Sequence, residues 1–175
     1  MREYMVEIGM RDEDWETMSK DDIRMKVREY DNKKWSENLE ERTSLEVYKK
    51  YKKKVEEENC YDNSKDSELL FKARANVLVL EDLKRHKKEN TDCKICNMGE
   101  REDLGHFVLR CEKLEWVRNR RLFTEGTEVD RLGRLLFEKE KIEEVKRMLG
   151  KMWKERGFQK KIYELREERE KIKNS

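Results

Sequence analysis

Four residues constrain this chain more than any others: Cys93-x2-Cys96-x9-His106-x4-Cys111. Thiolate and imidazole are the donors that a structural zinc ion prefers, and it prefers them four at a time in a closed tetrahedron. The two-residue gap lets a tight turn aim both Cys93 and Cys96 at one ion. Asn97, Met98 and Gly99 give that turn room to fold over. The four-residue gap lets His106 and Cys111 return from a short helical turn. Against this stands the plainer reading that three cysteines and a histidine pack as small buried groups. That reading explains poorly why they cluster in one short segment of a chain with only four Cys and two His. The spacing therefore predicts one structural Zn2+ held by Cys93, Cys96, His106 and Cys111, with no coordination position left for an activated water.

Composition makes such a cross-link valuable. Charged residues are 48% of the 175, against roughly 25% in an average globular protein. Leu, Ile, Val and Phe together are about a fifth of the chain, near the level at which a chain stops folding. Yet 43 basic and 41 acidic residues nearly cancel to +2, so self-repulsion is small. The expectation is structure, made of elongated helices around small cores. Proline is absent, so only Gly and clusters of turn-forming polar residues interrupt helices.

Residues 1–58 read as a charged helical segment. Met1, Tyr4, Met5 and Ile8 make a short amphipathic stripe that Gly9 ends. Ser19 with Asp22 is a capping-box arrangement opening a helix with Ile23, Val27 and Tyr30 on one face, continued less regularly by Trp35 and Leu39. Thr43 or Ser44 caps another helix, carrying Leu45, Tyr48, Lys52 and Val55. Asn59–Asp66 is a turn or linker by composition. Residues 67–157 form the second region. It begins with the most apolar stretch of the chain, Leu69 to Leu83, helical at first, with Val77–Leu80 undecided between helix and strand. A knuckle at 91–111 follows. Glu112–Phe123 reads as helix, Thr124–Gly133 as loop, and a last helix starts near Lys139 with the stripe Ile142, Val145, Leu149, Met152 and Trp153. Residues 158–175 read as a charged, fraying tail. The fold class expected is all-α, with helical segments around a small irregular CCHC knuckle.

Charge is uneven. From Lys84 to Leu122 eleven basic residues face seven acidic ones, net +4, whereas Met1 to Thr17 is net −4. Lys84, Arg85, Lys87, Lys88, Arg110, Arg118, Arg120 and Arg121 are the candidate phosphate contacts, which would set affinity for RNA or DNA without choosing sequence. His86, within that basic run, reads as a solvated surface residue and Cys60 as a free thiol. Trp15, Trp35, Trp116 and Trp153 read as core or interface residues. Phe107 is the first aromatic to test for base stacking, with apolar packing the simpler role. No stretch approaches a membrane span, and the N-terminus lacks a signal-peptide core. Metal-type rather than disulfide-type cysteine spacing suggests a reducing compartment, nucleus or cytoplasm.

Three segments carry a family resemblance: LLFKARANVLVLEDLKRH (69–86), CKICNMGEREDLGHFVLRCEKLEWVRNR (93–120) and VKRMLGKMWKERG (145–157). They resemble the C-terminal region of non-LTR (LINE-type) retrotransposon reverse transcriptases, where a CxxC…HxxxxC knuckle follows the polymerase thumb. KKWSENLEERTSLEVYKKYK (33–52) resembles the helical stretch that precedes it. The resemblance implies zinc on the same four residues, and a nucleic-acid-binding element that holds template RNA or target DNA. The family's Tyr-x-Asp-Asp polymerase turn has no counterpart, since Tyr30-Asp31-Asn32 and Tyr61-Asp62-Asn63 do not match it. Glu112 stands where the family often has proline after the last Cys. The chain then reads as a fragment, a remnant or a detached module. Its expected function is a zinc-stabilised nucleic-acid-binding module, not an enzyme. The alternative is a helical protein-interaction or scaffold module with a purely structural zinc, docking a partner helix through the stripe at Ile142–Trp153.

Overall fold

The Ser19 hydroxyl accepts a hydrogen bond from the Asp22 N–H at 3.2 Å and donates one to the Asp22 carboxylate at 2.7 Å. The predicted cap thus opens a helix. In the computed structural model, which describes residues 2–10, 17–83, 90–96 and 98–173, the chain is all-α. Its helices are α1 (Arg2–Glu7), α2 (Lys20–Glu40), α3 (Glu46–Tyr51), α4 (Lys65–Arg74), α5 (Glu128–Phe137) and α6 (Ile142–Lys173). Among the described residues no strand forms, beyond one isolated bridge between Asp92 and Arg101. No helix there is long and apolar enough to cross a membrane.

The chain divides into two compact units, Met1–Thr43 with Lys52–Glu57, and Ser44–Tyr51 with Glu58–Ser175. In the first, Gly9 adopts φ +71° and ends α1, a conformation that costs glycine little. Met5, Ile8 and Met10 are buried and pack with Met18, Ile23, Val27 and Tyr30. Tyr4 bonds Asp31 at 3.1 Å and meets Tyr30 edge-on. None of the 21 residues of α2 is fully buried. Met1 and Trp15 lie outside the described residues.

The second unit holds the main core. Residues 44–51 belong to it, and the helix expected to reach Val55 ends at Tyr51, leaving Val55 exposed. α4 begins at Lys65 because Ser64 caps it, accepting from the Ser67 N–H at 3.1 Å. Leu70 and Ala73 face inward. Arg74 is buried beside them, its Nε donating to the Leu136 carbonyl at 2.7 Å and its guanidinium lying over the Phe137 ring. Asn76 then takes φ +53°. Val77–Leu80 is neither helix nor strand. Leu78 and Leu80 are buried while Val77 and Val79 are exposed, a period-two alternation without a pairing strand.

Half of the loop expected at Thr124–Gly133 is helix. Thr127 caps α5 by accepting from the Asp130 N–H at 3.2 Å. Gly133 sits inside that helix because the Tyr51 ring lies against it, where an added Cβ would come within 1.9 Å. Conversely, Glu112–Phe123 is not α-helical but two 3-10 turns, Glu112–Val117 and Arg120–Leu122. The Arg118 side chain turns inward between them and donates to the carbonyls of Val108 and Cys111 at 2.9 and 2.6 Å, which a continuous helix would not permit. α6 packs on α4 and α5 through Val145, Leu149 and Met152. It runs past Gly157, so residues 158–173 continue the helix rather than fray from it. The stripe Ile142, Val145, Leu149 and Met152 is core, with Trp153 packed against it, so it is not a docking face.

Candidate metal centre

Cys93 and Cys96 sit on a turn that closes on itself. The Cys93 N–H donates to the Glu100 carbonyl at 2.7 Å and the Glu102 N–H to the Thr91 carbonyl at 2.9 Å. Gly99, at φ +68°, makes the reversal. Asn97 lies outside the described residues. His106 then opens a single π-helical turn, His106–Arg110, which the Cys111 N–H closes by donating to the His106 carbonyl at 2.7 Å. The wide turn is what the four-residue gap needs. In an α-helix Cys111 would lie about 140° around the axis from His106, whereas the π-turn brings the two side chains to one side.

All four predicted ligands meet. One donor atom from each of Cys93, Cys96, His106 and Cys111 lies within 4.8 Å of every other. All four residues are buried. Cys93 Sγ is 3.9 Å from Cys111 Sγ, and Cys96 Sγ is 3.5 Å from His106 Nε2. The sulfurs are too far apart for a disulfide, whose bond is about 2.05 Å, and all four cysteines are free. The arrangement is compatible with a metal ion held by four protein donors.

Backbone donors aim at the sulfurs, and a carboxylate fixes the imidazole. Backbone N–H groups of Ile95 and Cys96 point at the Cys93 sulfur, that of Met98 at Cys96 and that of Lys113 at Cys111. His106 Nδ1 lies 3.0 Å from a Glu100 carboxylate oxygen that also accepts from Arg110 Nε at 3.2 Å. That contact places the ring proton on Nδ1 and leaves the Nε2 lone pair aimed at the sulfurs. Among protein atoms alone, the hydrogen bond to Cys111 and burial push the Cys93 thiol up to about 12, while the same contact pulls Cys111 down. A dication held between the four donors would invert that balance, because a coordinated thiol gives up its proton.

A buried ionic network braces the turn. Glu102, between the two ligand pairs, accepts both Nε and Nη2 of Arg156 from α6 at 2.7 Å, the two-pronged geometry that suits a guanidinium. The second oxygen of Glu102 also takes the Glu81 N–H at 2.9 Å. Glu81 in turn accepts from Lys160 at 2.7 Å and lies 3.7 Å from Lys94 on the ligand turn. Glu81 and Glu102 are 1% and 2% exposed. Nothing in the sequence marked these residues. In a chain rich in carboxylates, Glu102 looks like its neighbours until the fold surrounds it.

The candidate phosphate contacts fare unequally. Lys84, Arg85, Lys87 and Lys88, with His86, lie outside the described residues. Arg110 is tied to Glu100, Asp103 and Glu128. Arg118 is buried, and its guanidinium serves the Val108 and Cys111 carbonyls. Arg120 is 83% exposed and paired with Glu115. Arg121 is exposed, and among the described residues its side chain makes no ion pair. Phe107 packs edge-on against Trp153 at 5.9 Å and is 1% exposed, which leaves no face for a base. Trp116, expected in a core or interface, is 73% exposed. Cys60 is buried near Arg74, apart from the ligand set.

No protein-family model, no curated protein and no solved structure matches the chain.

Proposed function

We propose that the chain is a zinc-stabilised nucleic-acid-binding module, without catalysis of its own, similar to the C-terminal region of a non-LTR retrotransposon reverse transcriptase. The observation that carries the metal half is a pair of edge lengths. Zn–S and Zn–N bonds of about 2.3 and 2.05 Å give tetrahedral edges of about 3.8 Å between sulfurs and about 3.6 Å between sulfur and nitrogen. The corresponding separations here are 3.9 and 3.5 Å. Four protein donors fill the tetrahedron, so the ion holds the fold and does not activate water. Glu100 supplies the carboxylate that orients the histidine ligand, a partner on which metal affinity usually depends.

Basic residues flanking the knuckle along the sequence support the nucleic-acid half. Arg120 and Arg121 follow the last ligand, and Lys84, Arg85, Lys87 and Lys88 precede the first. Arg118 leaves the contact set for a structural role. Elemental analysis and a filter-binding titration with single-stranded RNA, on one sample, test both halves. The expected result is one zinc per chain and binding that weakens steeply between low and high salt, as phosphate neutralisation requires. Absence of zinc overturns the first half. Failure to bind at low ionic strength overturns the second.

One observation favours a second reading, a protein-interaction module with the same structural zinc. Phe158, Leu165 and Ile172 recur at seven-residue intervals along α6 and are 59%, 59% and 77% exposed. A sedimentation run that stays monomeric at every concentration would remove the self-associating form of this reading.

A further inference from the structure

The turn after Cys111 presents an aromatic ring that no packing accounts for. In a 3-10 helix residues three apart share a face. Leu114 and Val117 therefore turn inward together, and Lys113 and Trp116 turn outward together, both exposed. Trp116 is the most exposed aromatic side chain among the described residues. Its turn is held at both ends: Cys111 belongs to the ligand set, and Arg118 bonds the Val108 and Cys111 carbonyls. An open indole on a held turn, beside a lysine on the same face, is an arrangement on which an unpaired base can stack.

A pocket adjoins it. About 450 Å³ of space is lined by Glu115, Arg118, Arg120, Phe123, Thr124 and Arg131, among others. Trp116 directly follows one of these wall residues, Glu115, and stands two before another, Arg118, so its Cα lies within about 4 Å of the wall's backbone. The pocket has cationic capacity to spare. Glu115 is already matched by both Arg118 and Arg120. Arg131, half-buried, makes no ion pair or hydrogen bond through its side chain with other described residues. The Thr124 hydroxyl oxygen, also in the wall, is buried with no hydrogen-bond partner among the described residues. Buried polar atoms rarely stay so. Glu125 at the wall is exposed to water and offsets one positive charge only in part.

We infer that this surface is a single-strand site, in which Trp116 stacks on an unpaired base while Arg131, with Arg120, takes a phosphate of the same strand. The inference rests on the nucleic-acid reading above and narrows it. Duplex is disfavoured because its base faces are already covered, and stacking rather than edge contacts implies little sequence preference.

The test titrates the full-length, metal-loaded chain with ten-residue oligouridylate and oligothymidylate, and with a duplex of equal length, following tryptophan emission and fluorescence anisotropy. Wild type is expected to prefer the single strands and to lose tryptophan emission on binding. Trp116→Ala should weaken binding about tenfold or more, with Trp116→Tyr recovering most of the loss. Arg131→Ala should weaken binding and flatten its salt dependence. Zinc content, read on each variant, shows that the fold is kept. If both alanine variants bind as wild type does, or duplex binds as well as single strand, this inference falls. The broader reading then survives through the other basic residues. If wild type binds nothing at low salt, both fall together.

Discussion

The two compact units are made from the same charged alphabet and are held in different ways. In the unit built around α2, the apolar side chains buried among the described residues are Met5, Ile8 and Met10 of α1 and its exit, and α2 itself contributes nothing fully buried. Its ion pairs, such as Arg24–Asp21 and Lys34–Glu7, lie in water, where such pairs contribute about 0–1 kcal/mol each. In the unit built around α6, a continuous core runs from Leu70 to Met152 and charges are drawn inside, Glu102 paired with Arg156 in the interior and the buried Lys146 reaching Asp62 at the surface. The contrast teaches what a chain with so few large apolar residues can do. Where leucine and valine are dense enough to exclude water, ions and thiols become cross-links. Elsewhere a helix rests on its caps and on one thin seam.

The sharpest way to widen that contrast is to remove one donor of the proposed zinc site. Structural zinc supplies an apparent binding free energy of about 10–16 kcal/mol in small domains, as large as the whole stability of many proteins. Cys96→Ser is expected to abolish stoichiometric zinc and to raise hydrogen exchange across residues 91–111 and 142–157. Exchange across 20–40 should stay as it was, because no residue of α2 belongs to that core. Zinc content unchanged in the purified variant would refute the assignment of Cys96 as a ligand. Faster exchange in α2 would show that the two units are not held separately.

A smaller effect is expected from the buried ions. Arg156→Met keeps the stem that packs along α6 but strands Glu102 and leaves Glu81 with its lysines. Removing one partner of a buried pair typically costs about 3–5 kcal/mol, read as a lower urea midpoint with zinc still bound. The double change Glu102→Gln with Arg156→Met should recover part of the loss, since no unpaired charge then remains at that position. A single variant as stable as wild type would mean that water reaches Glu102 and the network is only decorative.

The clustering of three cysteines and a histidine, the Ser19 cap, the hydrophobic entry into α4 and the closing helix were legible in the sequence, because each depends mostly on near neighbours in the chain. Cys93, Cys96, His106 and Cys111 announce themselves by chemistry and spacing, and their convergence is the arrangement that spacing implies. What could not be read depends on distant partners. Arg118 looked like a surface cation but is consumed by the Val108 and Cys111 carbonyls, and this splits the expected helix into two 3-10 turns. Thr127 starts a helix inside a stretch rich in turn-formers because Leu132, Leu135 and Leu136 find a core across from it. The apolar stripe at Ile142–Met152 was visible, but a stripe does not say whether it faces its own core or a partner, and here it faces its own. Gly157, after which a fraying tail was expected, lies in open space on α6, with nothing to interrupt the helix.

The smallest test belongs to the thin unit. The Ser19 side chain satisfies the Asp22 N–H at the start of α2, and Ser→Ala at such a position usually costs about 0.5–2 kcal/mol. In the α6 unit a loss of that size would vanish into a large core. In the α2 unit, with no fully buried helix residue to resist fraying, it is a large share of what orders the first turn. Ser19→Ala should therefore speed amide exchange from Lys20 through the early turns of α2 and leave zinc content and residues 142–157 unchanged. Ser19→Gly, which leaves room for water to serve the same N–H, should cost only a few tenths of a kcal/mol. If alanine and glycine behave alike and neither alters exchange, the cap is not what holds α2, and the seam of Met5, Ile8 and Met10 against Ile23, Val27 and Tyr30 carries the unit by itself.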